Sequence, residues 1–216
     1  PVPEQPNQTF VSVTDGPRGL TLINKGLVEY AAEETEDGVT LSLTLLRSVG
    51  WIGREFYAPD VCKIATPDAQ CLGRHEFEYA LLPHEGDWRD ARAWQMAHGF
   101  NAPLEVVESP PGPGSLPNEL SVVSLWPEEL VITAIKKAES DDALVVRLYD
   151  ISETSVTGRL TLSPRIEKAM VTSLSEEPLE EVSLPNGDIQ ERAFTDLRFP
   201  VKGHQIVTLK MWLASG

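Results

Sequence analysis

The sequence predicts an all-β protein built as two antiparallel sandwiches, on three observations. Apolar residues recur with a period of two along most of the chain, the pattern of strands with one buried face. Short turn sequences rich in Gly, Asn and Asp punctuate those runs. One stretch has helical spacing instead, and one Pro/Gly run separates the chain into two parts.

In chain order, Asp15-Gly16-Pro17 and Glu36-Asp37-Gly38 are the first turns. Val39, Leu41, Leu43 and Leu45 then alternate with Thr40, Ser42 and Thr44, which predicts a half-buried strand. His75, Phe77, Tyr79 and Leu81 alternate in the same way with Glu76, Glu78 and Ala80. Over residues 90–100, Ala91, Trp94, Ala97 and His98 stand at helical spacing, which predicts one short helix near 90–98 with Gly99 close to its end. The run Ser109-Pro110-Pro111-Gly112-Pro113-Gly114-Ser115 cannot enter a sheet interior, because its prolines donate no backbone hydrogen bond. It predicts a linker at 109–115, a first domain over 1–115 and a second over 116–216. Strands are predicted in the second part at 120–125, 130–135, 144–149, 159–162 and 206–213, with turns at Asp141-Asp142 and Asn186-Gly187-Asp188.

Charge excludes whole classes of function. Lys plus Arg number 18 and Asp plus Glu number 33, a formal net charge of −15 over 216 residues. Nucleic acid is not expected as a partner, since its phosphates require a dense basic surface. A membrane is not expected either, because there is no polybasic face and no apolar run of the ~20 residues that a spanning helix needs. Both sides of the boundary are acidic, with 17 acids against 8 bases in 1–115, so neither is a basic arm. Hydrophobic residues at 41% and five Trp provide for a core. The Pro-rich start, without a basic or long apolar region, is not expected to be a signal peptide, and the missing initiator Met suggests a piece of something longer. Two cysteines, Cys62 and Cys71, are too few for a disulfide scaffold and point to reduced thiols and a cytoplasmic protein.

Few residues propose themselves for chemistry. With 33 acids, close carboxylate pairs arise by chance, and Glu76 and Glu78 belong to a solvated strand face. Cys62, Cys71, His75 and His84 could ligate zinc, but the cysteines are nine apart and the histidines nine apart, whereas zinc sites use close Cys pairs that pre-form half the tetrahedron. No zinc is expected from them; buried thiols and a packed His75 are the plainer expectation. His75-Glu76-Phe77-Glu78-Tyr79 has Tyr79 where a second metal-binding histidine would stand. Nucleophile-elbow, phosphate-loop and dinucleotide motifs are missing from the sequence. Arg47 and Trp51, in Arg47-Ser48-Val49-Gly50-Trp51 at a strand end, are the candidates for carbohydrate contact. A guanidinium forks onto hydroxyls and carboxylates, and an indole offers an apolar face to a pyranose.

Three runs then carry a resemblance: Gly19-Leu20-Thr21-Leu22-Ile23-Asn24-Lys25-Gly26-Leu27-Val28-Glu29-Tyr30, Leu43-Thr44-Leu45-Leu46-Arg47-Ser48-Val49-Gly50-Trp51, and Ala69-Gln70-Cys71-Leu72-Gly73 leading into His75-Glu76-Phe77-Glu78-Tyr79-Ala80-Leu81. Their order and spacing resemble the carboxy-terminal β-sandwich region of glycoside hydrolase family 38, the α-mannosidases, in its bacterial and archaeal branch. The second half, through Leu116-Pro117 and the strands that follow, is similar to the family's small terminal sandwich. The resemblance implies that 1–115 is part of a large mutarotase-like supersandwich and that 116–216 is a small antiparallel sandwich. It implies a retaining α-mannosidase whose zinc and aspartate nucleophile belong to an amino-terminal α/β domain. No segment of this chain matches that domain, so no catalytic residue, metal ligand or cofactor is assigned here. The implied partners are that catalytic domain and a mannoside. Arg47 maps to the family arginine that approaches the saccharide, by its place in the matching strand-end motif. An independent carbohydrate-binding module is the alternative.

Overall fold

The computed structural model describes residues 4–52, 64–110, 112–114, 117–163, 165–184 and 194–214. Cys62, Pro111, Ser115, Leu116 and the turn expected at 186–188 lie outside them. Regular structure is almost all strand, every described pairing is antiparallel, and the chain divides into two compact units, Pro1–Ser109 and Pro110–Gly216. An all-β architecture of several small antiparallel sheets is therefore what these residues form.

The first unit has strands β1 (Gln5–Pro6), β2 (Phe10–Thr14), β3 (Arg18–Asn24), β4 (Glu29–Thr35), β5 (Gly38–Leu43), β6 (Trp51–Ile52), β7 (Ile64–Ala65) and β8 (Tyr79–Glu85), with one helix, α1 (Ala93–Asn101). They form three sheets in the orders β2-β3-β8, β1-β4-β5 and β6-β7. Asp15 closes the β2–β3 turn by accepting the Arg18 backbone N–H at 3.0 Å, and Gly16 beside it takes a φ of 100° that favours glycine. The alternation that begins at Val39 leaves the sheet after Leu43, where β5 ends.

Strand β8 begins four residues later than the alternation from His75 predicts. Residues 74–78 bond locally instead: Arg74 pairs with Glu76, and His75 Nε2 lies 2.6 Å from the Cys71 carbonyl oxygen. Register with β3 sets the strand, through Leu22 opposite Leu81 and Leu20 opposite Pro83. Pro83 is tolerated because β8 is an edge strand, so its missing N–H breaks no ladder. The helix likewise starts three residues after Asp90. Asp87 Oδ1 accepts the N–H groups of Arg89 (2.7 Å) and Asp90 (3.1 Å), a turn that competes with helix, and Arg92 is left-handed at φ 50°. Gly99 lies inside α1; the end is held by Asn101 Nδ2, which donates to the carbonyls of Ala97 and Asn24, both at 2.9 Å. Ala93 and Ala97 are buried, and α1 packs on β2 and β3.

One polar knot sits within the β2-β3-β8 sheet. Buried Thr21 donates to Ser12 Oγ at 2.8 Å and stands 3.0 Å from His84 Nε2. The His84 ring lies over Gly19, where a Cβ would come within 2.1 Å of it, so only glycine fits there.

The second unit is a two-sheet sandwich. Strands β10 (Leu130–Lys137), β11 (Leu144–Asp150), β16 (Ile206–Leu213), β13 (Ile166–Thr172) and β14 (Pro178–Glu181) form one sheet in that order. Strands β15 (Thr195–Val201), β12 (Val156–Leu162) and β9 (Val123–Trp126) form the other. Inward positions of both sheets make one hydrophobic cluster, including Leu148, Leu160, Leu197, Leu209 and Met211. Gly158 faces Phe199, and a Cβ there would approach the Phe199 ring to 2.7 Å.

An ion-paired clasp closes the turn after β10. Glu176 is nearly buried and pairs with Lys136 at 2.8 Å while accepting the Glu139 N–H at 2.9 Å. The Lys136 ammonium, then the Glu139 N–H, hold its carboxyl below the usual glutamate range. A depressed folded-state pKa gives stability that is present above the unfolded-state pKa and lost as pH falls through the folded one. Glu176→Gln is therefore expected to flatten the loss of stability below about pH 5. Urea midpoints at neutral pH and across that acid range check this; an unchanged slope with pH would show that Glu176 contributes nothing to it. Among the described residues, no helix is long and apolar enough to cross a membrane.

Candidate functional site

Arg47 lies just beyond the end of β5, in a segment tied down on both sides. Thr44 N–H donates to the Glu29 carbonyl at 3.0 Å, extending the β4–β5 pairing. Beyond it, Val49 N–H donates to the Ala69 carbonyl at 3.2 Å, Ser48 Oγ to the Gln70 carbonyl at 3.1 Å, and Thr66 N–H to the Gly50 carbonyl at 3.0 Å. The segment 44–50 is thus fixed by its backbone although it belongs to no strand.

Residues 44–47 of that segment and residues 26–29 line a cleft of about 260 Å³. Its polar groups are Arg47, Glu29 and Thr44, and its apolar walls are Leu27, Val28, Leu45 and Leu46. Arg47 Nη1 pairs with Glu29 Oε1 at 3.3 Å, with 75% of the arginine side chain exposed. An ion pair in that setting is weak, and it occupies one of five N–H donors, so the guanidinium is free to fork onto a second group. Trp51 is exposed on β6 (59%) and does not line this cleft. The two residues singled out from sequence therefore do not share this cleft. Glu29 is the cleft residue the sequence reading did not single out; it stands 18 positions before Arg47, and only the β4–β5 pairing brings it there.

The arrangement can bind and orient; it offers no proton acceptor in arginine. Among the described residues, no three His, Cys, Asp or Glu side chains converge as a metal site. The Cys71 thiol is free. His75 faces the Cys71 carbonyl and stacks on Phe77, whereas His84 is engaged with Ser12 and Thr21. Glu76 pairs with Arg74, and Glu78 pairs with Lys25 at 3.4 Å. Cys62, the fourth residue of the set weighed from sequence, lies outside the described residues.

The fold and its sequence have clear relatives. The family model described as "Glycosyl hydrolases family 38 C-terminal beta sandwich domain" matches residues 129–209. A protein named "Putative mannosylglycerate hydrolase", from Halalkalibacterium halodurans, is 30% identical over 203 residues, which are 94% of this chain and 20% of that protein. Human alpha-mannosidase 2C1 is 37% identical over 164 residues, 74% of this chain and 14% of that protein. The crystal structure of an alpha-mannosidase from Enterococcus faecalis V583 superposes with a TM-score of 0.74 at 26% identity, covering 98% of this chain and 22% of that one. Such matches define the class as a carboxy-terminal β-sandwich region of glycoside hydrolases. The chain spans about a fifth of the length of the first of these relatives. The chain matches family 38 relatives along its length, and the family's carboxy-terminal sandwich over residues 129–209.

Proposed function

We propose that this chain is the non-catalytic sandwich portion of an α-mannosidase-like glycoside hydrolase, that it packs on the catalytic α/β domain, and that it lines one wall of a mannoside site. The observation that carries the reading is an imbalance of burial. Both hydrophobic clusters of the described residues lie in the second unit. The first unit leaves large apolar side chains in solvent. Leu20, Tyr79 and Leu81 share one face of the β3–β8 pair by register, and Tyr79 and Leu81 are 55% and 59% exposed. Ile52 and Ile64 are exposed on the β6–β7 pair. Large apolar side chains left in solvent mark a surface built to be covered. It supports reading the first unit as part of a larger, mutarotase-like supersandwich whose remaining surface lies elsewhere in the enzyme.

Arg47 supplies the contact with saccharide oxygens from its cleft, and Trp51 offers an apolar platform from β6. Among the described residues no aromatic side chain lines the Arg47 cleft, which favours a shared wall over a self-contained carbohydrate-binding module. The acidic balance suits a neutral sugar better than nucleic acid or an anionic membrane. The small number of cysteines supports a cytoplasmic setting.

Retaining cleavage needs two carboxyl groups about 5–5.5 Å apart across the glycosidic bond. In this reading that pair belongs to the catalytic domain. The chain alone is therefore expected to release no aglycone from an aryl α-mannoside, with or without added zinc. Release that follows the purified protein would overturn the proposal.

A further inference from the structure

The outer face of the β15–β12–β9 sheet carries a feature that the Arg47 reading does not use. Register sets Trp126 opposite Arg159, and Arg159 opposite Arg198. One indole and two guanidinium groups therefore stand in a row across three strands. Their neighbours Leu160 and Leu197 are buried in the core, which pins the row outward by the strand's period of two. Trp126 is 63% exposed, and with Thr157, Arg159 and Arg198 it lines a concavity of about 280 Å³.

The charges in the row are unequal. Asp196 is fully engaged: Arg159 Nη2 donates to one oxygen at 2.7 Å and Thr161 Oγ1 to the other at 2.6 Å. Arg198 makes no hydrogen bond or ion pair among the described residues. Arg198 lies in the field of the Asp196 carboxylate and helps to hold it ionised, yet no hydrogen bond among the described residues uses its N–H donors. Strands lie about 4.8 Å apart, so the outer members of the row are about 10 Å apart at their Cα atoms. A pyranose lying on the indole would direct a ring carboxylate toward Arg198.

We propose that this row is a second, non-catalytic saccharide site for a carboxylate-bearing sugar of the uronate class. Trp126 stacks on the pyranose, Arg198 takes the carboxylate in a two-pronged fork, and Thr157 meets a hydroxyl. The size of the concavity and the open N–H donors of Arg198 fit one charged sugar unit better than a protein partner, which would need an interface several times larger.

The test is titration of the 216-residue chain with trigalacturonate, read by calorimetry and by the indole N–H resonance of Trp126. The expected result is saturable binding that moves that resonance. Arg198→Gln should weaken it about tenfold or more, as expected for loss of a charged hydrogen bond. Arg198→Lys should restore it only in part, because the charge returns without the fork. Equal binding of mannotriose, an equal resonance shift with acetate, or full affinity in Arg198→Gln would overturn the proposal. Failure to bind, with Trp126→Ala instead weakening association with the catalytic portion of the enzyme, would assign the row to a protein interface and overturn it as well.

Discussion

Leu160→Ala is expected to destabilise the second unit by about 2–5 kcal/mol, the range for truncating a buried leucine in a core that cannot collapse around the cavity. Leu160 is fully buried at the centre of β12, between β15 and β9, and its side chain belongs to the cluster shared by both sheets. Domains are stable by only about 5–15 kcal/mol, so the loss is a large fraction of the total. Leu81→Ala in the first unit is the contrast: with 59% of the residue exposed, the isolated chain should change by no more than about 0.5 kcal/mol. Urea denaturation of both variants measures the difference. Equal losses would mean that Leu81 is packed in a core, contrary to its exposure.

Arg47→Ala, placed in the complete enzyme, is expected to cost about 1.5–3 kcal/mol in kcat/KM on a mannoside, the worth of hydrogen bonds to a charged group. The guanidinium positions sugar oxygens and takes no proton, so the pH profile should keep its shape. In the isolated chain the same change removes only the exposed pair with Glu29, worth about 0–1 kcal/mol. Kinetic constants for the two enzymes decide between roles, since unchanged values would leave Arg47 as a loop residue paired with Glu29.

Where one strand face is buried and the other wet, the sequence was a good guide. β10 and β11 lie where 130–135 and 144–149 predict strands, and β16 lies at 206–213 although it is buried on both faces from Val207 to Met211. Other strands that break that rule escaped. β3 is buried on both faces from Thr21 to Asn24, so its pattern has no period of two, and it stood out only as part of a family motif. β13 has an irregularity between Ile166 and Lys168 that shifts its register against β16. β15 does alternate, with Thr195, Leu197, Phe199 and Val201 buried, but Pro200 argues against a strand until β15 is seen to be a sheet edge. The site was legible one residue at a time. Arg47 could be singled out in its own motif, while Glu29, and the row Trp126, Arg159 and Arg198, come together only through strand pairing. No local spacing encodes that pairing.

An aryl α-mannoside assay on three samples tests the proposed role most directly: this chain, the catalytic portion of the same enzyme made separately, and the two mixed. The expected result is no release by the chain, little by the catalytic portion, and a rise on mixing that saturates with added chain. The rise should weaken when Leu81→Asp places a charge on the exposed β3–β8 face. A catalytic portion that is fully active alone and indifferent to added chain, or hydrolysis by the chain itself, would contradict the role proposed for it.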